Sequence, residues 1–456
     1  MATMTETLAE FTVNLTYDQI PKDARAAAKR FIFDSVGCAL GGLKQEDTKM
    51  YRRVLQFLGG NDHATIIGTG EKASLVQAAL INSLLIRVMD YNDIYWMQDP
   101  SHPSDIIPAA LSTGEYTGKN GADVLTAVII AYEIEMRLCE FAIPGIRERG
   151  WHHATLTQFA SPYAAGKMLD LDVAQLVNAA GISGASHSST GSVTAGKLTM
   201  MKNTVDPLAT AAGVEAALLA REGYTGPEHA IDGKEGLMHC LGEGWDESKM
   251  TDGLGDSFKI TQCGMKAHPT EALTHAPITA TLGLIRTHKL QPEDIASVEV
   301  KTISRAADIL SDPSKYDPQS KETADHSLPY CLAAACARGK VTPHEFEDAS
   351  IQDPAIRKFL SLIKVSAEPE YEALFPEKQP NLVRIHTTGG QTFEEYVEYP
   401  KGHAAVPMDK DDLIVKFAAL AAPELSQEKV EEIYDLIDRF DDLETMQPLF
   451  DAIKTQ

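Results

Sequence analysis

At 456 residues, with 44% hydrophobic and 23% charged positions, the chain has a globular composition and room for two or three domains. Its 65 acidic and 41 basic residues leave a net charge of −24, so nucleic-acid binding has no global electrostatic support and an anionic ligand needs a local cationic pocket. Apolar runs such as Val124–Tyr132 are too short to cross a bilayer, and the opening residues lack a basic stretch followed by an apolar core. The expectation is a cytoplasmic protein that engages neither membrane nor nucleic acid.

Helical spacing dominates the first half. Lys22–Leu43 follows a proline suited to a first helical turn and ends at Gly41-Gly42. Helical patterns continue over Thr48–Leu58, Lys72–Met89, Ser104–Gly118, Gly121–Phe141, Gln158–Leu169 and Val173–Ser183. The Ala/Leu-rich stretch Asp206–Glu222 is the strongest of them. Ala64–Ile67 is a short strand at most. The character changes after about Phe258. Ser297–Ile303 alternates in strand fashion, Leu382–Thr388 and Gln391–Tyr399 flank a Gly389-Gly390 turn, and Ile363–Glu370 adds a further strand. Helices over Thr270–His288 and Ala324–Arg338 lie among these strands, and Lys410–Ala421 and Gln427–Arg439 return to helix. The predicted fold is mainly α with an α+β lid: residues 1–262, completed by 401–456, form the helical domain, and 263–400 form the lid.

Five stretches carry groups fit for chemistry. Arg87–Leu111 sets Asp90, Tyr91, Asn92 and Asp93, then His102 between Pro100 and Pro103, between two apolar helical runs. Polar groups so confined fit a pocket wall, or equally a helix cap by Ser104 or Asp105. Arg149–Leu156 holds adjacent His152 and His153 beside Trp151. Adjacent histidines on a helix face different ways, which argues against a two-histidine metal site. Gly196–Pro207 contains Lys202 among Met200, Met201 and Leu198, an ammonium that either snorkels outward or sits desolvated as a cation for catalysis, while Lys197 reads as a solvated surface charge. Gln262–Thr279 crowds Lys266, His268, Glu271 and His275, and offers no third ligand to make a metal site of the two histidines. Lys321–Lys340 offers Asp325 or Ser327 as a cap and Tyr330 in the first helical turn, at a helix start of the kind that binds carboxylates. The six cysteines, at 38, 139, 240, 263, 331 and 336, show no spacing for a disulfide framework, zinc ribbon or iron–sulfur cluster.

The segments MDYNDIYW…DPSHPSDIIPAAL and ETADHSLPY, with FDSVGCALGG, YEIEMRL, LLAREGYTGP and YPKGHAAVP, resemble the MmgE/PrpD family, the iron–sulfur-independent 2-methylcitrate dehydratases and their relatives. The resemblance runs over about the whole chain. It implies a homodimer, no cofactor and no metal, and an active site between the helical domain and the lid. It aligns His152 with a pocket histidine and puts Lys202 in the site, with Lys266 and Glu271 as a lysine-plus-glutamate pair. Three positions depart from the family pattern: Ile94 stands where threonine is usual, Leu273 where histidine is often found, and His153 where proline is often found.

The activity so implied is water removal from a citrate-like tricarboxylate, 2-methylcitrate or citrate. Such a reaction breaks a weakly acidic C–H bond, so it needs a base, a proton donor for the departing hydroxide and positive charge near the developing anion. Lys202 and Lys266 are expected to stabilise charge, and His102 and Tyr330 to serve as acid and base. Asp90 is expected to orient a lysine or histidine, and His152, Asp93 and Glu271 to contact substrate. The alternatives are cis-aconitate decarboxylation, imino-diacid epimerisation, or an inactive paralogue serving as a binding or scaffold protein.

Overall fold

The computed structural model describes residues 2–195 and 198–455; Lys197 lies outside them. The protein is mainly α-helical with a smaller α+β part, and the chain divides into two compact units. The first gathers Met1–Gly196, Met200–Cys263 and Asp409–Gln456, and the body of the second is Gly264–Met408.

In the first unit, helices Leu75–Arg87, Ala154–Met168 and Met201–Arg221 pack together, and Gly121–Phe141 lies against Ala154–Met168. Gly121–Phe141 is buried along almost its whole length, so its apolar run needs no polar face, yet it carries three buried glutamates, Glu133, Glu135 and Glu140. The Met201–Arg221 helix begins five residues before the expected start at Asp206. Proline usually opens helices, but here Pro207 lies inside and gives up one backbone hydrogen bond. The earlier start puts Lys202 and Asp206 four residues apart on one face of the helix. Likewise Leu75–Arg87 begins later than expected, because Lys72–Ala73 pairs as a two-residue strand with Ala64–Thr65.

The second unit carries a four-stranded sheet in the order Ile363–Ala367, Ile295–Thr302, Asn381–Thr387, Thr392–Val397. The first two strands run parallel and the other pairs antiparallel. Val298, Val300 and Thr302 are buried on alternate positions, as the sequence alternation requires, and His275–His288 packs on the last two strands. Leu328–Arg338 packs in turn against His275–His288, and its N-terminus is capped by Ser327, whose Oγ accepts from the Tyr330 N–H at 3.0 Å.

No helix among the described residues is long and apolar enough to cross a membrane. All six cysteines are free thiols, and five of them are buried.

Candidate active site

The site in the first unit starts from a turn. After the Leu75–Arg87 helix the Asp90 N–H bonds back to the Arg87 carbonyl, with Asp90 at φ 52°, a left-handed conformation that aspartate tolerates better than most residues. The turn folds the Asp90 carboxylate onto its own helix end, 2.6 Å from Arg87 Nη1, and Lys202 Nζ approaches its other oxygen at 3.2 Å. Lys202 is 1% exposed, which decides between its two readings: it is desolvated and paired rather than snorkelling.

Arg87 is a hub that the sequence pattern does not reveal. Its Nε lies 3.5 Å from Asp105 and 3.6 Å from Asp206, and all three residues are buried. Burial raises the Asp105 carboxyl well above the ordinary range despite Arg87, with Asp206 and Asp93 adding to the shift. Burial also pushes Asp206 up, but His153 first, and Arg87 with it, outweigh this and hold it below the usual range. Arg87 and Lys202 thus lie among three buried carboxyl groups, Asp90, Asp105 and Asp206.

His102 lies in the turn before a 3-10 segment, Pro103–Ile106, that leads into the Ile107–Thr117 helix. No side chain caps either start. Ser104 instead donates to Asp93, and Asp105 accepts from Asn92, so neither acts as the helix cap that the sequence offered as one reading. The Asp93 carboxylate accepts from the Ser104 N–H at 3.0 Å, the Ser104 hydroxyl at 2.6 Å and the Tyr132 hydroxyl at 2.7 Å, while burial lifts its pKa to about 6. The Asp93 backbone carbonyl lies 2.6 Å from His102 Nδ1. A carbonyl only accepts, so Nδ1 carries the proton and Nε2 carries the lone pair when the ring is neutral.

His152 has the opposite arrangement. Its Nδ1 accepts from the Ala154 N–H at 3.2 Å, which places the ring proton on Nε2. That nitrogen is buried without a hydrogen-bond partner. Burial first, then neighbouring His153, holds the His152 pKa well below normal, so the ring is a neutral donor. His152 and His153 precede the Ala154–Met168 helix rather than lying on it, so the helical objection to their facing one way does not apply. Their ring centroids are 3.9 Å apart, and His102 lies 5.6 Å from His153. His153 Nε2 is 3.3 Å from Asp206 Oδ1.

His152, His153 and Asp206 bring their potential ligand atoms within 4.8 Å of one another. The chemistry of this set argues against a metal ion. The N–H aimed at His152 Nδ1 leaves the proton on Nε2, the nitrogen that would have to bind, and Asp206 already lies between His153 and Arg87.

In the second unit, Lys266 is 2% exposed and buried. Glu271 caps a short turn, its carboxylate accepting from the Leu273 N–H at 2.7 Å, and its own N–H bonds to the Asp325 carbonyl. His268 Nδ1 meets the Val341 carbonyl at 3.1 Å and His275 Nε2 the Thr270 carbonyl at 3.3 Å. Tyr330 does not project from its helix start as the sequence suggests. It is fully buried, its hydroxyl donates to the Glu345 carbonyl at 2.6 Å, and burial raises its pKa further.

The histidines, Lys202 and their carboxylates make a candidate site for acid–base chemistry in a mainly helical protein. The MmgE/PrpD N-terminal domain model matches residues 6–249 and the C-terminal domain model residues 268–442, and the chain belongs to the MmgE/PrpD family. It is 26% identical to the cis-aconitate decarboxylase of Aspergillus terreus, over 99% of this chain and 96% of that one. It is 24% identical to the human cis-aconitate decarboxylase, over 100% and 95%. To the 2-methylcitrate dehydratase of Escherichia coli K12 it is 25% identical, over 92% and 91%. The relatives named here are thus lyases of two kinds, dehydratase and decarboxylase.

Proposed function

We propose that the protein is a hydro-lyase that removes water from a citrate-like tricarboxylate, 2-methylcitrate or citrate. The observation that carries this reading is the opposed tautomers of His102 and His152. One ring offers a lone pair on Nε2, the other an N–H on Nε2, and a single imidazole, His153, neighbours both. Elimination of water needs such a pair: a base for the C–H proton and an acid for the leaving hydroxide. Decarboxylation needs an acid for the new carbanion but no base, and a berth where one carboxylate loses stabilisation. The second reading, cis-aconitate decarboxylation, draws its support from relatives of that name that match as much of the chain at similar identity.

In this scheme His102 takes the proton and Lys202, oriented by Asp90, steadies the charge that develops on the substrate carboxylate. His152 donates to the departing hydroxyl. Asp93 sets the His102 tautomer through its backbone rather than touching substrate, since three donors already engage its carboxylate. Tyr330 is left out of the proton transfers, and Glu271 acts on the backbone turn. Lys266 is assigned a substrate carboxylate on motif position and burial, and the homodimer of the family resemblance is proposed for this chain.

Deuterium exchange separates the two histidines. In D₂O, His152→Gln is expected to keep exchanging the substrate C–H while losing alkene formation, and His102→Asn to lose both. Exchange that survives in His102→Asn overturns its role as the base.

A further inference from the structure

Of the three buried glutamates on the Gly121–Phe141 helix, two are neutralised. Glu133 receives Arg137 Nε at 2.7 Å, and Glu140 receives Lys259 Nζ at 2.6 Å. Glu135 has no cation beside it among the described residues. It is 0% exposed, and its Oε1 accepts two hydroxyls, Ser101 Oγ and Thr157 Oγ1, the latter at 2.9 Å, while Oε2 is buried without a hydrogen-bond partner. Ser101 immediately precedes His102. Thr157 lies in the first turn of the helix that His152 and His153 lead into, and its N–H bonds to the His153 carbonyl.

We propose that Glu135 is a positioning residue of the acid–base site, clamping the His102 loop and the His152–His153 loop to one helix through Ser101 and Thr157. The inference rests on the acid–base reading above. Both hydroxyls donate to the same oxygen, so the second oxygen is the one left to hold a proton. Burial lifts the Glu135 pKa to about 8, Ser101 and Thr157 oppose the shift, and Asp206 and Asp93 add to it. Asp105 and the Cys139 thiol are its other titratable neighbours, and both are themselves pushed up by burial. Near neutrality the clamp is therefore an uncharged acid. Above about pH 8 it places an unpaired charge between the two loops, which disturbs both rings together.

Two variants of the full chain test this. Glu135→Gln keeps the shape and an acceptor oxygen but cannot ionise; Glu135→Ala removes the clamp. Imidazole ¹⁵N NMR, with His102 and His152 assigned through their own variants, is expected to show both rings unchanged in Glu135→Gln and shifted in Glu135→Ala. In turnover, Glu135→Ala is expected to lose about a hundredfold in kcat, the scale of a small misplacement of reacting groups, with KM little changed. Wild-type kcat is expected to fall on the alkaline side near pH 8, and Glu135→Gln to lack that fall. Unshifted rings in Glu135→Ala, or an alkaline fall that persists in Glu135→Gln, overturns the proposal. If no citrate-like acid is turned over, the functional reading fails, whereas the NMR arm still decides the clamp. If Glu135→Ala does not fold, the pH dependence of the ring signals decides it: both rings are expected to shift together above about pH 8 in the wild type and not in Glu135→Gln, and equal behaviour of the two proteins overturns the proposal.

Discussion

Replacing Arg87 by Met removes one cation from among three buried carboxyl groups. The guanidinium touches Asp90 at 2.6 Å and lies 3.5 and 3.6 Å from Asp105 and Asp206, and none of these residues is more than 2% exposed. Asp90 keeps Lys202 and Asp206 keeps His153, so neither loses every partner. Breaking a buried ion pair by deleting one partner costs roughly 3–5 kcal/mol. At roughly 2–4 °C per kcal/mol for a large unit, the melting temperature is expected to drop by about 6–20 °C. The deficit should also depend on pH. Without Arg87 the folded-state pKa values of Asp105 and Asp206 rise further above their unfolded values, or less far below them. The variant therefore binds protons more readily when folded, and its deficit shrinks as pH falls from 8 towards 5. Differential scanning calorimetry at pH 5, 6.5 and 8 measures both effects. A shift under 3 °C, or a deficit that grows on acidification, refutes the hub.

Lys202→Met and Lys266→Met are each expected to lower kcat/KM by roughly 10²–10³, the scale of a lost contact to a developing anion; steady-state kinetics on the preferred acid decides it, and a change under threefold removes that lysine from the chemistry. Tyr330→Phe is expected to leave kcat within about twofold while lowering stability by about 1 kcal/mol, since its hydroxyl is committed to a backbone carbonyl. A large kcat loss with an unchanged urea midpoint would restore Tyr330 as an acid or base. Exhaustive chelation should leave turnover intact, and loss with EDTA that one particular metal restores would contradict the reading of His152, His153 and Asp206.

The fold could be read from the sequence wherever an apolar run is long enough for a buried helix or alternates as a half-buried strand does. The Gly121–Phe141 helix and the strand alternation of 297–303 are such cases, and both lie where the pattern puts them. Starts were harder to read. Proline normally marks a first turn, so Pro207 misplaced the Met201–Arg221 helix and with it the shared face of Lys202 and Asp206. Motif position brought out Asp90, His102, His152 and Lys202, which the structure places in one buried cluster. It passed over Arg87, Asp206 and Glu135, because a partner's charge acts through space and leaves no spacing in the chain. The one signal available was negative: an arginine closing an apolar helix, an aspartate inside an alanine-rich one, and glutamates in a run of Val, Ile and Leu that burial would otherwise exclude. The direction of a side chain was also illegible, as Tyr330 shows: its place in a helix start is visible in sequence, its hydroxyl's partner fifteen residues on is not.

Product analysis tests the central claim most directly. Purified protein is incubated with 2-methylcitrate, citrate and cis-aconitate, and alkene absorbance, deuterium uptake from D₂O and CO₂ are followed together. The hydro-lyase reading predicts reversible water loss and addition, with deuterium entering at the carbon that loses its proton and every carbon retained. Stoichiometric CO₂ from cis-aconitate, with no hydration of it, contradicts that reading and establishes the decarboxylase.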